Sequence, residues 1–235
     1  QVPDFLSLNP PGSPSGPALS QRVPSSPLGL NLFAGFDTRE EYGYHVFCSS
    51  VIHNSTAPVT ICPLDRKLLS RVWDGRQKDG TNAFTYARFR VPELQNFKGW
   101  AIFADGCDMI CRVDLADLWA LRDDTKAVQV VKHDYRTKHP VKYLGYKNED
   151  YPRKNWSSVI LWNCGFFPNR KLTPEFVTKQ PGSYLHRFQW LDPDRVGALP
   201  REWNHLVGEY PPDGDSKLLH FTLGTPCFGG EYAQQ

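Results

Sequence analysis

The apolar residues of this chain fall into runs of strand length separated by stretches with helical spacing, and this alternation restricts the fold more than any other feature. The clearest runs are residues 100–104, 127–131 and 159–162. Runs of four or five residues, apolar but for Gln129, between turn signals suit a buried strand, and are far short of the roughly 18 needed to span a membrane. Residues 28–36 and 58–63 read as two earlier strands. Between them, Tyr44, Phe47, Cys48, Val51 and Ile52 recur at helical spacing. Asp37 and Glu40 precede that helix in the arrangement of a capping box. Residues 84–94 and 114–121 read as further helices. Strands alternating with helices predict an α/β domain over residues 30–235, with a mostly parallel sheet flanked by helices.

Residues 1–29 follow another rule. Pro3, Pro10, Pro11, Pro14, Pro17, Pro24 and Pro27 are interleaved with serine and glycine. Proline has no amide hydrogen to donate, so neither a helix nor a central strand runs through such a segment. An extended arm is expected, either laid on its own domain or held by a protein partner. The formal net charge is +2, from 27 basic and 25 acidic residues, which gives no electrostatic case for nucleic acid or an anionic membrane as partner. The six cysteines are too dispersed for a disulfide scaffold and favour a reducing compartment, cytoplasm or an organelle matrix. Cys107 and Cys111 lack a second pair at zinc-finger spacing, so they read as buried thiols.

The segment richest in chemistry joins a buried strand to an acidic turn, Gly99-Trp100-Ala101-Ile102-Phe103-Ala104-Asp105-Gly106-Cys107-Asp108. Ligands of open α/β sheets bind beyond the carboxyl ends of the strands. Two carboxylates there repel each other unless a cation lies between them, and Mg²⁺ or Mn²⁺ bridges carboxylates to a diphosphate. Paired aspartates also serve as ordinary turn residues.

Several further stretches carry a resemblance. A Tyr86-Ala87-Arg88 helix precedes the strand and its Asp105-Gly106-Cys107-Asp108 turn. Residues 155–163, Asn155-Trp156-Ser157-Ser158-Val159-Ile160-Leu161-Trp162-Asn163, form an asparagine-bounded apolar strand. Asp192-Pro193-Asp194 is followed by Leu199-Pro200-Arg201-Glu202-Trp203-Asn204, and Leu218-Leu219-His220-Phe221-Thr222-Leu223-Gly224 comes last. In that order, over residues 30–228, they resemble the glycogenin-like and lipopolysaccharide galactosyltransferase-like enzymes of glycosyltransferase family 8. They resemble more closely still a group of bacterial and phage-encoded glycosyltransferase-like proteins. The resemblance implies a GT-A (Rossmann-like) fold and sugar transfer from a UDP- or GDP-linked donor to an unknown glycan or protein acceptor. Asp105, Asp108 and His220 would hold Mn²⁺ or Mg²⁺. Gly35, Phe36 and Asp37 would cradle base and ribose. Arg88 would neutralise phosphate or brace the acidic turn. Asp192, Asp194 and Asn155 would be the catalytic, sugar-facing residues.

Two features differ from the family pattern. Two residues, not one, separate Asp105 from Asp108, so Asp108 would ligate while Asp105 contacts ribose or water. The family's late lysine is missing from Gly224-Thr225-Pro226-Cys227-Phe228, which leaves Lys154 or Arg153 to meet the diphosphate. A basic cluster containing Lys132, His133, Arg136, Lys138, His139 and Lys142 would meet an anionic ligand or stay solvated. The alternative function is a non-catalytic subunit that keeps the fold within a larger assembly, held there by residues 1–29.

Overall fold

In a computed structural model of the chain, residues 29–65, 69 and 84–234 are described. The proline-rich arm, apart from Gly29, lies outside them. A six-stranded sheet forms the centre, in the order β2-β1-β3-β8-β5-β9. Its strands are β1 (Leu30–Phe36), β2 (Val59–Asp65), β3 (Trp100–Ala104), β5 (Val128–Val131), β8 (Val159–Asn163) and β9 (Val196–Leu199). β1 pairs in parallel with β2 and β3, and β5 with β9. β8 runs antiparallel between β3 and β5. The sheet is therefore mostly parallel, with one reversed strand that the apolar pattern did not reveal. Ala101 to Ala104, Val128, Val130 and Val159 to Trp162 are all buried, as expected where both faces of a sheet are covered.

Helix α1 (Glu41–Asn54) packs on this sheet through Gly43, Tyr44, Phe47 and Val51. Each fully buried large apolar side chain such as Phe47 contributes roughly 1.5–3 kcal/mol. Ile52, expected on the same stripe, is 64 % exposed because it lies about a quarter turn from that face. Asp37 caps the 3-10 turn Thr38–Glu40 that leads into α1, accepting from the Arg39 amide at 3.0 Å. Glu40 does not close the capping box; its side chain is buried and bonded elsewhere. The helix expected over 84–94 is broken into a 3-10 turn, Ala87–Arg90, and a short α2 (Val91–Leu94). Pro92 has no amide to bond back to Arg88, so the two pieces are not one ladder.

A smaller sheet, β10-β11-β4, is built from β4 (Met109–Cys111), β10 (His205–Leu206) and β11 (Leu218–His220). β4 and β11 are antiparallel, with His220 opposite Met109. Helix α3 (Leu115–Trp119) follows β4, with Asp114 as its N-cap. A hairpin of β6 (Val141–Lys142) and β7 (Tyr146–Lys147) and two short helices, α4 (Pro174–Lys179) and α5 (Gly182–His186), complete the elements used below. No described helix is long and apolar enough to cross a membrane.

Candidate active site

Where β3 ends, the chain turns through Asp105, Gly106, Cys107 and Asp108, and neighbouring backbone clamps that turn on every side. Asp105 N donates to Ser158 O at 2.9 Å, and Cys107 Sγ donates to Gly35 O at 3.2 Å. Gly106 takes φ +78°, a left-handed conformation that glycine adopts without strain. A Cβ on Gly43 would sit 1.9 Å from the Cys107 carbonyl oxygen, and one on Gly35 would sit 2.6 Å from the Asp105 carbonyl oxygen. Both glycines let other elements approach the acidic turn closely. Phe221 N donates to Asp108 O at 2.8 Å, which continues the β4–β11 register and brings His220 beside the two carboxylates.

Asp105, Asp108 and His220 each offer one ligand atom, and these atoms lie within 4.8 Å of one another. His220 Nε2 stands 3.3 Å from Asp108 Oδ2 and 3.9 Å from Asp105 Oδ2. His220 Nδ1 lies 2.8 Å from Asn204 Oδ1. The Asn204 amide is oriented by its own donations, Nδ2 to Asn155 O and to Ser158 Oγ, both at 3.2 Å. Oδ1 is then the acceptor and Nδ1 the donor, which leaves Nε2 facing the two carboxylates. Two carboxylates held this close repel each other, and the set of two oxygens and one ring nitrogen fits a divalent cation. Asp108 Oδ1 adds to the fit, being buried without a hydrogen-bond partner.

Arg88 braces the cluster. Its Nη1 lies 2.6 Å from Asp105 Oδ1 and donates to Ser157 O at 2.8 Å, while Nε donates to Thr85 O at 3.1 Å. Burial pushes the Asp105 carboxyl up to about 6; Arg88 pulls it down and Asp108 adds to the rise.

These groups form part of the wall of a cavity of about 620 Å³ beyond the carboxyl ends of β1 and β3 and the start of β8. Asn155, with φ +59°, also lines it and donates from Nδ2 to Tyr135 Oη at 2.9 Å. Among the lining residues not singled out as site residues by sequence are Glu40, Lys142, His186 and Arg187. Glu40 Oε2 accepts from the Tyr143 hydroxyl at 3.1 Å, and Oε1 is buried without a partner. Burial, with Asp108 nearby, raises the Glu40 carboxyl to about 8. Lys142 is carried in by the β6–β7 hairpin; burial lowers its pKa, and Asp108 and Asp105 act against that. His186 Nδ1 is 2.6 Å from Ser157 Oγ, and burial followed by Arg88 pushes its pKa down to about 3.

Over 207 residues the chain is 40% identical to Protein CDI of Arabidopsis thaliana, a match covering 85% of this chain and 80% of that protein. It belongs to the Protein CDI family. No family model matches the sequence. In three dimensions this CDI-family chain is similar to the apo structure of the bifunctional glycosyltransferase WbbM, with TM-score 0.59 and 16% identity, over 84% of this chain and 46% of that one. It is also similar to the glycosyltransferase GlyE of Streptococcus pneumoniae TIGR4, with TM-score 0.54 and 14% identity, over 82% of this chain and 54% of that one. The chain spans about half the length of these two proteins. The fold is thus a glycosyltransferase fold of the GT-A kind.

Several residues expected at the site lie elsewhere. Asp192 and Asp194 flank Pro193 just before β9, at the end of the sheet opposite the cavity. Both are exposed; Asp194 pairs with Arg195 at 3.3 Å, and Asp192 borders a separate surface depression with Trp190 and Arg195. β9 is parallel to β5, so its beginning points away from the acidic turn, and the two carboxylates expected to face the sugar are not brought to the cavity. Lys154 is buried and donates to Asn148 Oδ1 at 2.7 Å, outside the cavity wall. Asp37 accepts from Arg39 Nη2 at 2.7 Å, and Phe36 packs edge-on against Tyr44; neither they nor Gly35 line the cavity. Cys107 and Cys111 are free thiols, donating to the Gly35 and Val113 carbonyls.

Proposed function

We propose that this CDI-family chain is a metal-dependent glycosyltransferase that takes its sugar from a nucleoside-diphosphate donor, UDP- or GDP-linked. The observation that carries the proposal is the convergence of Asp105, Asp108 and His220, whose Nε2 faces both carboxylates, in a cavity of about 620 Å³ at the carboxyl end of the sheet. These three residues would hold Mn²⁺ or Mg²⁺, which offsets the negative charge of a departing nucleoside diphosphate. The order of motifs supports descent from family 8-like enzymes. The chain's own groups do the rest. Arg88 fixes the Asp105 carboxylate in place, so the cluster is organised before donor arrives. Lys142, beside the acidic pair, takes the diphosphate-facing position that Lys154 cannot, because the Lys154 ammonium is spent on Asn148. Asn155 and His186 offer neutral hydrogen-bonding groups for sugar hydroxyls.

Calorimetric titration with UDP and GDP, with and without Mn²⁺, tests the reading. Binding should require the cation and disappear in Asp108→Asn. If neither nucleotide binds the folded protein in the presence of Mn²⁺, the donor reading is wrong and a non-catalytic subunit that retains the fold takes its place.

A further inference from the structure

Arg187 follows the last residue of α5 and lines the same cavity as the acidic cluster. Its Nε is buried with no hydrogen-bond partner, and no carboxylate pairs with its guanidinium among the described residues. Three other arginines have carboxylate partners: Arg88 with Asp105, Arg39 with Asp37 and Arg90 with Glu93. A guanidinium held partly out of water and without a counter-charge is costly unless a ligand supplies the anion. The backbone beneath it is fixed. The Arg187 carbonyl accepts from Arg153 Nη1, and Phe188, with φ +53°, donates its amide to Leu185 O at 2.9 Å. The neighbouring wall carries uncharged hydroxyls, from Ser183 and Tyr151, of the kind that meet sugar hydroxyls.

Arg187 belongs to another element than the groups assigned to the diphosphate. A relay of contacts separates it from them: His186 to Ser157 at 2.6 Å, then Arg88 to Ser157 O at 2.8 Å and to Asp105 at 2.6 Å. The inference places a second anion there, beside Ser183 and Tyr151, in addition to a diphosphate at the acidic turn. Planar guanidinium groups bind carboxylates through two parallel hydrogen bonds, an arrangement matched to a uronic acid. We infer that Arg187 selects a uronate, a sugar bearing a carboxylate, borne either on the donor or on the acceptor. The inference rests on the cavity's being a glycosyl site.

Two measurements test it. In the first, UDP-glucuronate and UDP-glucose, and GDP-mannuronate and GDP-mannose, are titrated into the protein with Mn²⁺. The uronate is expected to bind at least tenfold more tightly within a pair, and Arg187→Gln should abolish that preference while leaving UDP and GDP affinity within about twofold. In the second, ¹⁵N spectra of the protein with UDP and Mn²⁺ are recorded with free glucuronate and with glucose. Saturable shifts at Arg187 and its neighbours with glucuronate alone place the carboxylate on the acceptor. Arg187→Lys keeps the charge without the fork and should retain only part of the preference, which also tests the idea should the glutamine variant fail to fold. Absence of carboxylate preference in both measurements, or a preference that survives in the variants, overturns the inference. Nucleotide binding without carboxylate preference removes this inference alone. Glucuronate shifts without nucleotide binding remove the donor reading and leave Arg187 as a uronate site.

Discussion

At the scale of single residues, the cluster separates groups that bind from groups that hold others in place. Asp108 contributes a carboxylate whose Oδ1 has no hydrogen-bond partner and which stands beside the Asp105 carboxylate, so the fold gains little from it unless a cation joins the two. Asp108→Asn should leave unfolding stability unchanged or slightly raised, while Mn²⁺-dependent UDP affinity falls at least tenfold, about 1.4 kcal/mol; denaturant titration beside calorimetry reads both. The two lysines give a sharper contrast. Lys142→Ala should weaken UDP binding about tenfold with a normal melting temperature. Lys154→Ala should instead cost about 3 kcal/mol of stability, because it strips a buried hydrogen-bond network containing Asn148 and Glu209 of its charge partner. Comparable loss of nucleotide affinity in a stable Lys154→Ala protein would move the phosphate role back to that residue. The sequence pointed to Asp105, Asp108, Arg88 and His220 through their motif order. It ranked Lys142 only as one of six basic residues in one stretch, and Glu40 as half of a capping box. Which cation enters a cavity depends on the path of the hairpin carrying it, and that path leaves no local signal.

Elements position these residues through close backbone approach. The acidic turn is wedged between β1 and the first turn of α1, and Gly43 makes that possible. Gly43→Ala would force α1 away from the Cys107 carbonyl, and a loss of about 2–3 kcal/mol is expected, read from the denaturant midpoint. A neutral result would show that α1 relaxes without cost and that the turn is not clamped. The strands at residues 100–104 and 159–163 were visible as apolar runs, but their relative direction was not. β3 and β8 are both buried on two faces, so neither alternation nor composition distinguishes parallel from antiparallel pairing. The placement of Asp192 and Asp194 has a different cause. Their order along the chain matched a family pattern, yet the direction of β9 carries them to the far end of the sheet.

For the molecule as a whole, buried histidines make stability depend on pH. His133 is almost completely buried, its Nδ1 lies 2.8 Å from the Tyr210 hydroxyl, and burial lowers its pKa to about 3; His186 behaves alike. Both are neutral in the folded state, whereas the unfolded chain binds protons near pH 6.5. Stability from these groups is therefore complete above about pH 6.5 and is lost as pH falls toward 3, at up to about 1.4 kcal/mol per pH unit for each histidine. Glu40 and Asp105, whose carboxyls burial raises to about 8 and about 6, act in the opposite direction over the same range, so the difference between proteins is the test: between pH 6.5 and 4.5 the melting temperature of His133→Gln should fall less, or rise more, than that of the unaltered protein. An unchanged slope in the variant would mean that His133 accepts a proton without unfolding.

By itself the sequence determined the α/β class, the positions of the main strands, the acidic turn and the late histidine, because short apolar runs and turn chemistry are local properties of a chain. Only the tertiary structure decided that Asp105, Asp108 and His220 share one point, that Lys142 and Arg187 enter the cavity, and that Asp192, Asp194 and Lys154 do not. Those outcomes follow from strand direction and from the β4–β11 register, which are fixed by burial across the whole sheet and not by any neighbouring residues.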